Sequence, residues 1–112
     1  MQAKDAKFLS CLKACNICRE ACRACNEACI NGPRVNELLR GILLNRDCAL
    51  FCNTASVLME HGSEFLPQVL KLCEEACELC RTENERFDLP YCRRAAQACG
   101  AFVRECRRMH LE

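Results

Sequence analysis

The sequence predicts an all-α fold, an antiparallel up-down four-helix bundle with a cysteine-lined core, on three observations. Between Cys11 and Cys29 the chain reads CLKACNICREACRACNEAC, with cysteines at 11, 15, 18, 22, 25 and 29, spaced 4, 3, 4, 3 and 4. That is the rhythm of a helix seam, a position normally given to Leu or Ile. The same three-and-four spacing recurs to the end of the chain. Every break between periodic segments is short, so consecutive helices are expected to pack antiparallel.

Helix 1 is expected over about 5–30, its outer face carried by Lys13, Asn16, Arg19, Glu20, Arg23 and Glu27. Asn31-Gly32-Pro33 is a stop and turn signal. Helix 2 follows over about 34–61 with a stripe of Leu38, Leu44, Cys48, Cys52, Ala55 and Met59. Gly62 is its expected C-cap, and Ser63 caps helix 3, over about 64–87, with Pro67 tolerated in the first turn. One face of that helix holds Leu66, Leu70, Cys73, Cys77, Cys80, Asn84 and Phe87. Asp88, with Pro90 just inside, opens helix 4 over about 89–110, which carries Cys92, Ala95, Cys99, Phe102, Cys106 and Met109.

Folding these hairpins in register places Cys18, Cys48, Cys77 and Cys99 in one middle layer. Toward one end follow Cys15, Cys52 and Cys73 with Phe102, then Cys11, Ala55, Leu70 and Cys106. That end closes with Phe8, Met59, Leu66 and Met109, near His61 and His110. Toward the other end lie Cys22, Leu44, Cys80 and Ala95, then Cys25, Gly41, Asn84 and Cys92.

The totals narrow the function. A chain of 112 residues is expected to form a single domain, 1–112, with a modest core. Net charge is +1, which gives no field for nucleic acid or acidic lipid. The arginines of helix 4 face an acidic helix 3, and this complementarity accounts for them. The segment MQAKDAKF carries charges where a secretory signal needs an apolar run, and the longest uncharged run is 12 residues, too short to span a bilayer. A cytoplasmic protein without membrane or nucleic-acid partners is the expectation. In that compartment thiols stay reduced, and cysteine clusters favour metal over disulfide. Helical positions three or four apart also hold Cβ atoms about 5–6 Å apart, whereas a disulfide wants about 3.8 Å.

A few buried cysteines would read as small hydrophobes, but 14 of them, mostly in CxxxC or CxxC steps, do not. Structural zinc wants closed tetrahedra, typically from loops, and each zinc tetrathiolate leaves two negative charges to bury. Iron–sulfur motifs place cysteines in loops of the CxxCxxC kind, which are absent. Cu(I) is soft, prefers thiolate and accepts two or three sulfurs. One thiolate per ion makes a filled core nearly neutral, which bounds the load at on the order of a dozen Cu(I) ions per chain. The candidate ligands are Cys11, Cys15, Cys18, Cys22, Cys25, Cys29, Cys48, Cys52, Cys73, Cys77, Cys80, Cys92, Cys99 and Cys106.

The helix 1 run, the DCALFC step at Asp47–Cys52, the CEEACELC step at Cys73–Cys80 and the YCRRAAQAC opening of helix 4 resemble the copper storage proteins. The resemblance covers most of the chain and points to their cytosolic branch. It implies Cu(I) storage by thiolates in a bundle core and assembly into homotetramers. Leu70, Asn84, Ala95 and Phe102 stand where relatives are expected to carry cysteine, so a lower capacity is expected, with Phe102 dividing the thiol column. The competing readings are a redox-active, iron–sulfur or zinc-binding thiol protein, and a low-capacity copper sensor or delivery protein with a donor or acceptor partner.

Met59, His61, Met109 and His110 gather at one expected end. Thioether and imidazole there would receive Cu(I) and pass it to Cys106 and Cys11. The alternative is structural: methionine fills core gaps, and histidine near a helix C-terminus suits the dipole. No Ser, Asp or phosphate-loop constellation points to an enzyme.

Overall fold

The computed structural model describes residues 6–110, with side chains as far as Met109. Four helices, α1 (Ala6–Ile30), α2 (Leu39–His61), α3 (Leu66–Asn84) and α4 (Pro90–His110), run up and down along an elongated body of 46 × 19 × 19 Å. Each helix packs against its two neighbours, α1 against α2 and α4, and α3 against α2 and α4. This is the expected four-helix bundle, and no strand occurs among the described residues.

The connections differ in detail from the expected ones. Helix 2 does not run straight from residue 34. A 3₁₀ turn at Val35–Leu38 precedes it, and Leu38 is buried at the junction. The tighter winding brings Val35 and Leu38 over the end of the core. Gly62 ends α2 as expected, in the left-handed region at φ 66°. Its N–H reaches Met59 O, and the N–H of Ser63 reaches Leu58 O at 3.0 Å, a Schellman closure that needs a residue without Cβ strain.

Helix 3 begins at Leu66, two residues later than expected, because Ser63 Oγ accepts from Phe65 N at 3.0 Å and stabilises a turn ahead of it. It ends at Asn84 instead of reaching Phe87. Residues before a proline are biased away from the helical region, and Pro90 instead starts α4. Phe87 leaves the helix face and lies half-buried between the guanidinium groups of Arg34 and Arg86, 5.7 and 5.4 Å from its ring centre. The acidic and basic helices meet as expected: Arg107 bonds Glu74 and Glu78, each at 3.1 Å.

Candidate metal centre

Helical periodicity turns the thiols inward. All fourteen cysteines are free and buried, none exposed by more than 1%. The larger buried hydrocarbon side chains that accompany them are few: Phe8, Leu38, Ile42, Met59, Leu70, Phe102 and Val103.

At mid-bundle, α1, α2, α3 and α4 each contribute one sulfur to a knot. Cys18 Sγ lies 3.7 Å from Cys48, 3.9 Å from Cys77 and 3.7 Å from Cys99. Cys48 lies 3.2 Å from Cys77 and 3.8 Å from Cys99. This is the middle layer that register placed together. One turn on, Cys22 joins it at 3.8 Å from Cys99 and 3.9 Å from Cys80. Two overlapping quartets result, Cys18/Cys48/Cys52/Cys77 and Cys18/Cys22/Cys48/Cys99, each with all sulfurs within 4.8 Å of one another. Cys18 and Cys48 belong to both.

A third group, Cys25/Cys29/Cys92, meets the same distance limit at the end of the bundle nearest residues 31–38. Toward the opposite end, Cys15 donates to Cys52 O at 3.0 Å and Cys73 to Phe51 O at 3.3 Å. Cys11 and Cys106 interact there as a pair. Met59 is fully buried and Met109 half-buried beside the same core, whereas His61 is exposed. The side chain of His110 lies outside the described residues.

One layer departs from the expectation. Leu44 is only half-buried, and Asn45 points inward instead. Its Oδ1 accepts from Cys80 Sγ at 2.9 Å and Asn84 Nδ2 at 2.8 Å, and its Nδ2 donates to Asn26 Oδ1 at 2.9 Å. Asn26 donates onward to Ile42 O at 3.0 Å. Asn84, which also donates to Cys80 O at 2.9 Å, is therefore one member of a belt of three buried asparagines. Beside it Glu83, 3% exposed, lies against Gly41 and is held by Arg40 at 3.2 Å and Arg86 at 2.9 Å.

Burial opposes the charged form of a thiol, and it pushes up Cys25, Cys73 and Cys92, the last to about 11. Within the knot a thiolate is stabilised by the thiols that point at it. Cys48 is held low by hydrogen bonds from Cys18, Cys22, Cys52 and Cys77, while such bonds push Cys52 and Cys99 up. The knot thus favours deprotonating some sulfurs while their neighbours remain donors.

These distances suit a thiophilic ion. With a metal–sulfur bond of about 2.3 Å, sulfurs sharing one ion stand about 4 Å apart. No cationic side chain is buried among the described residues, so ions of higher charge with four thiolates would leave uncompensated negative charge inside.

A family model described as Csp, copper storage protein, matches residues 4–111. The chain belongs to the copper storage protein family. Its likeness to YhjQ of Bacillus subtilis (strain 168), described as an uncharacterized cysteine-rich protein, is 34% identity over 101 residues, 90% of this chain and 87% of that one. It is similar to the Cu(I)-bound copper storage protein BsCsp3, at 33% identity and a TM-score of 0.88 over 92% of this chain and 97% of that one. It is also similar to a cytosolic copper storage protein of Streptomyces lividans, solved with five coppers, at 27% identity and a TM-score of 0.91 over 95% and 93% of the two chains. In this copper storage protein the buried sulfur column supplies the thiols that can hold the metal.

Proposed function

We propose that this chain stores Cu(I) in its bundle core, with all fourteen cysteines as ligands and several ions per chain. The observation that carries the reading is the sharing of Cys18 and Cys48 between two sulfur quartets. Shared sulfurs suit bridging thiolates, and bridging at about one thiolate per Cu(I) keeps a buried cluster near neutral. Similarity to structures solved with copper supports the same metal. The role is sequestration without turnover.

Met59, Met109 and His61, with His110 as the sequence-based fourth candidate, are the proposed entry by which copper reaches Cys11 and Cys106. Met59 and Met109 already pack against that end of the sulfur core. The site of storage is the cytosol, where fourteen free thiols remain reduced. The Streptomyces relative is a cytosolic protein, and no helix among the described residues is long and apolar enough to cross a membrane. A copper donor or acceptor protein is the expected exchange partner.

The working form is a homo-oligomer, a tetramer by family resemblance. Leu39, Leu43, Leu50 and Val57 form an exposed stripe along α2, and Phe65, Leu72 and Leu79 stand exposed seven apart at the start of α3 and along it. An apolar surface of this extent suits a second copy of the chain.

Anaerobic titration of the reduced protein with Cu(I) against a competing chelator tests the function. Tight uptake of several equivalents per chain is expected. A plateau at one equivalent or none, with reversible thiol loss under mild oxidant, would refute storage in favour of a redox role.

A further inference from the structure

We infer that the asparagine belt divides the store into two compartments, and that Cys25, Cys29 and Cys92 form a separate chamber for a single Cu(I) ion. The inference rests on the Cu(I) reading and adds to it how the core is partitioned.

At one level α2 and α3 run out of cysteine beyond Cys48 and Cys80, α4 has a gap between Cys92 and Cys99, and α1 alone carries the sulfur run on, from Cys22 to Cys25. Asn26 from α1, Asn45 from α2 and Asn84 from α3 close three sides with mutual hydrogen bonds of 2.8–2.9 Å, and α4 contributes buried Ala95. The belt is anchored to the main chain at Ile42 O and Cys80 O, each bond 2.9–3.0 Å long. Its amide groups are hard donors and acceptors, already engaged with one another. A soft ion passing from sulfur to sulfur meets no ligand of its own kind there.

On the knot side, Cys80 spends its thiol proton on Asn45 Oδ1. On the far side, Cys25 points at Asn84 Oδ1 at 3.6 Å. The buried apolar residues divide at the same place. Cys25, Cys29 and Cys92 cluster with Leu38, Ile42 and Ala95, apart from the cluster that holds the other eleven cysteines.

The chamber suits one ion. Cys25 and Cys29 stand 3.9 Å apart, and Cys92 lies within 4.8 Å of both. Three sulfurs around one ion at a bond length of about 2.3 Å would stand about 4 Å apart. α2 and α3 supply no sulfur to the group, and Cys22, the next sulfur on α1, belongs to the mid-bundle quartet and not to this group. Phe87 packs against the cluster and carries the Arg34 guanidinium over its ring, which places positive charge beside a trithiolate whose own charge one Cu(I) does not cancel.

The test is anaerobic Cu(I) titration with cysteine ¹³Cβ NMR. In the wild type, the resonances of Cys25, Cys29 and Cys92 are expected to move together in a step of their own, distinct from those of Cys18, Cys48, Cys77 and Cys99. The variant Cys25→Ser/Cys29→Ser/Cys92→Ser is expected to lose one equivalent and fill the remainder with unchanged affinity. Asn84→Cys sets a sulfur between Cys25 and Cys80, so it is expected to raise uptake and merge the two steps. Wild-type protein that takes up several ions with both cysteine sets moving as one overturns the chamber alone. A triple-serine variant that loses no ion, or several, does the same. Wild-type protein that takes up no copper overturns the storage reading and the chamber with it.

Discussion

Replacing Asn45 by Leu tests whether the polar belt holds the bundle in register. The substitution keeps much of the volume and removes three hydrogen bonds, to Asn26, Asn84 and Cys80. Asn84 Nδ2 keeps Cys80 O at 2.9 Å, but Asn26 Oδ1 accepts no other hydrogen bond among the described residues. Leaving one buried polar atom unpaired costs about 1–3 kcal/mol, and each further bond lost contributes about 1 kcal/mol. The sum is about 3–5 kcal/mol, a large share of the roughly 5–15 kcal/mol that holds a domain together. At about 4 °C per kcal/mol for a chain of this size, Tm should fall by roughly 12–20 °C. The assay is thermal unfolding by circular dichroism, anaerobic, reduced and free of metal.

Asn26→Leu alone should cost a similar amount, since it orphans Asn45 Nδ2. The double variant should cost less than the two singles together by about 1–2 kcal/mol, because residues joined in one network couple. Strictly additive losses, or single-variant losses below about 1 kcal/mol, would refute the claim that these amides act as one network.

Changing Cys18, Cys48, Cys77 and Cys99 to Ser should remove more copper than the same change at Cys92 and Cys106, because the first set includes both sulfurs shared between quartets; metal analysis of loaded protein decides it, and equal losses count against the knot as the main store. Cys92 is raised from 9.0 to about 11 in the folded chain, so the stability it contributes is fully present below pH 9 and is lost as pH rises toward 11. Unfolding of the metal-free protein should therefore show a Tm that falls across that window, whereas a flat profile would contradict the burial of that thiol. Leu50→Glu with Val57→Glu should shift the assembly to monomers by light scattering while copper uptake per chain is unchanged, since both side chains stand on the outer face of α2.

Much of the site was legible because sulfur and helix share a period. Cysteines three and four apart can face one way only if the segment is helical, and short connections then fix which sulfurs stand level. That reasoning reaches the Cys18/Cys48/Cys77/Cys99 knot. It fails at Leu44, where apolar patterning favours the leucine and the structure buries Asn45. Neighbouring helix positions differ by about 100°, and the choice between them is made by partners on other helices. The signal was present: in the register that aligned the cysteines, Asn26, Asn45 and Asn84 fall within about a turn of one level. A lone asparagine in a seam reads as a flaw, but three at one level can satisfy one another. The ends of α3 were missed for a different reason. Helical apolar spacing continues through Phe87, while Pro90 and the Ser63 turn act only on the backbone.

Sulfur makes a thin core, and this explains where the bundle places its hydrocarbon and its amides. A thiol buries like a small hydrophobe and fixes no geometry of its own. Ligand spacing must therefore come from elsewhere. Phe102, Leu70 and Val103 brace the knot from one side, the asparagine belt holds α1, α2 and α3 together on the other, and Leu38 and Ile42 close the far end. Each is a contact that no ion takes part in. Sulfurs held 3.2–3.9 Å apart by such contacts need little rearrangement to receive a metal, so less of the binding free energy is lost to ordering the ligands. Zinc fingers go the other way and fold only around their ion. A store must fill and empty without unfolding, and a framework independent of its cargo meets that requirement.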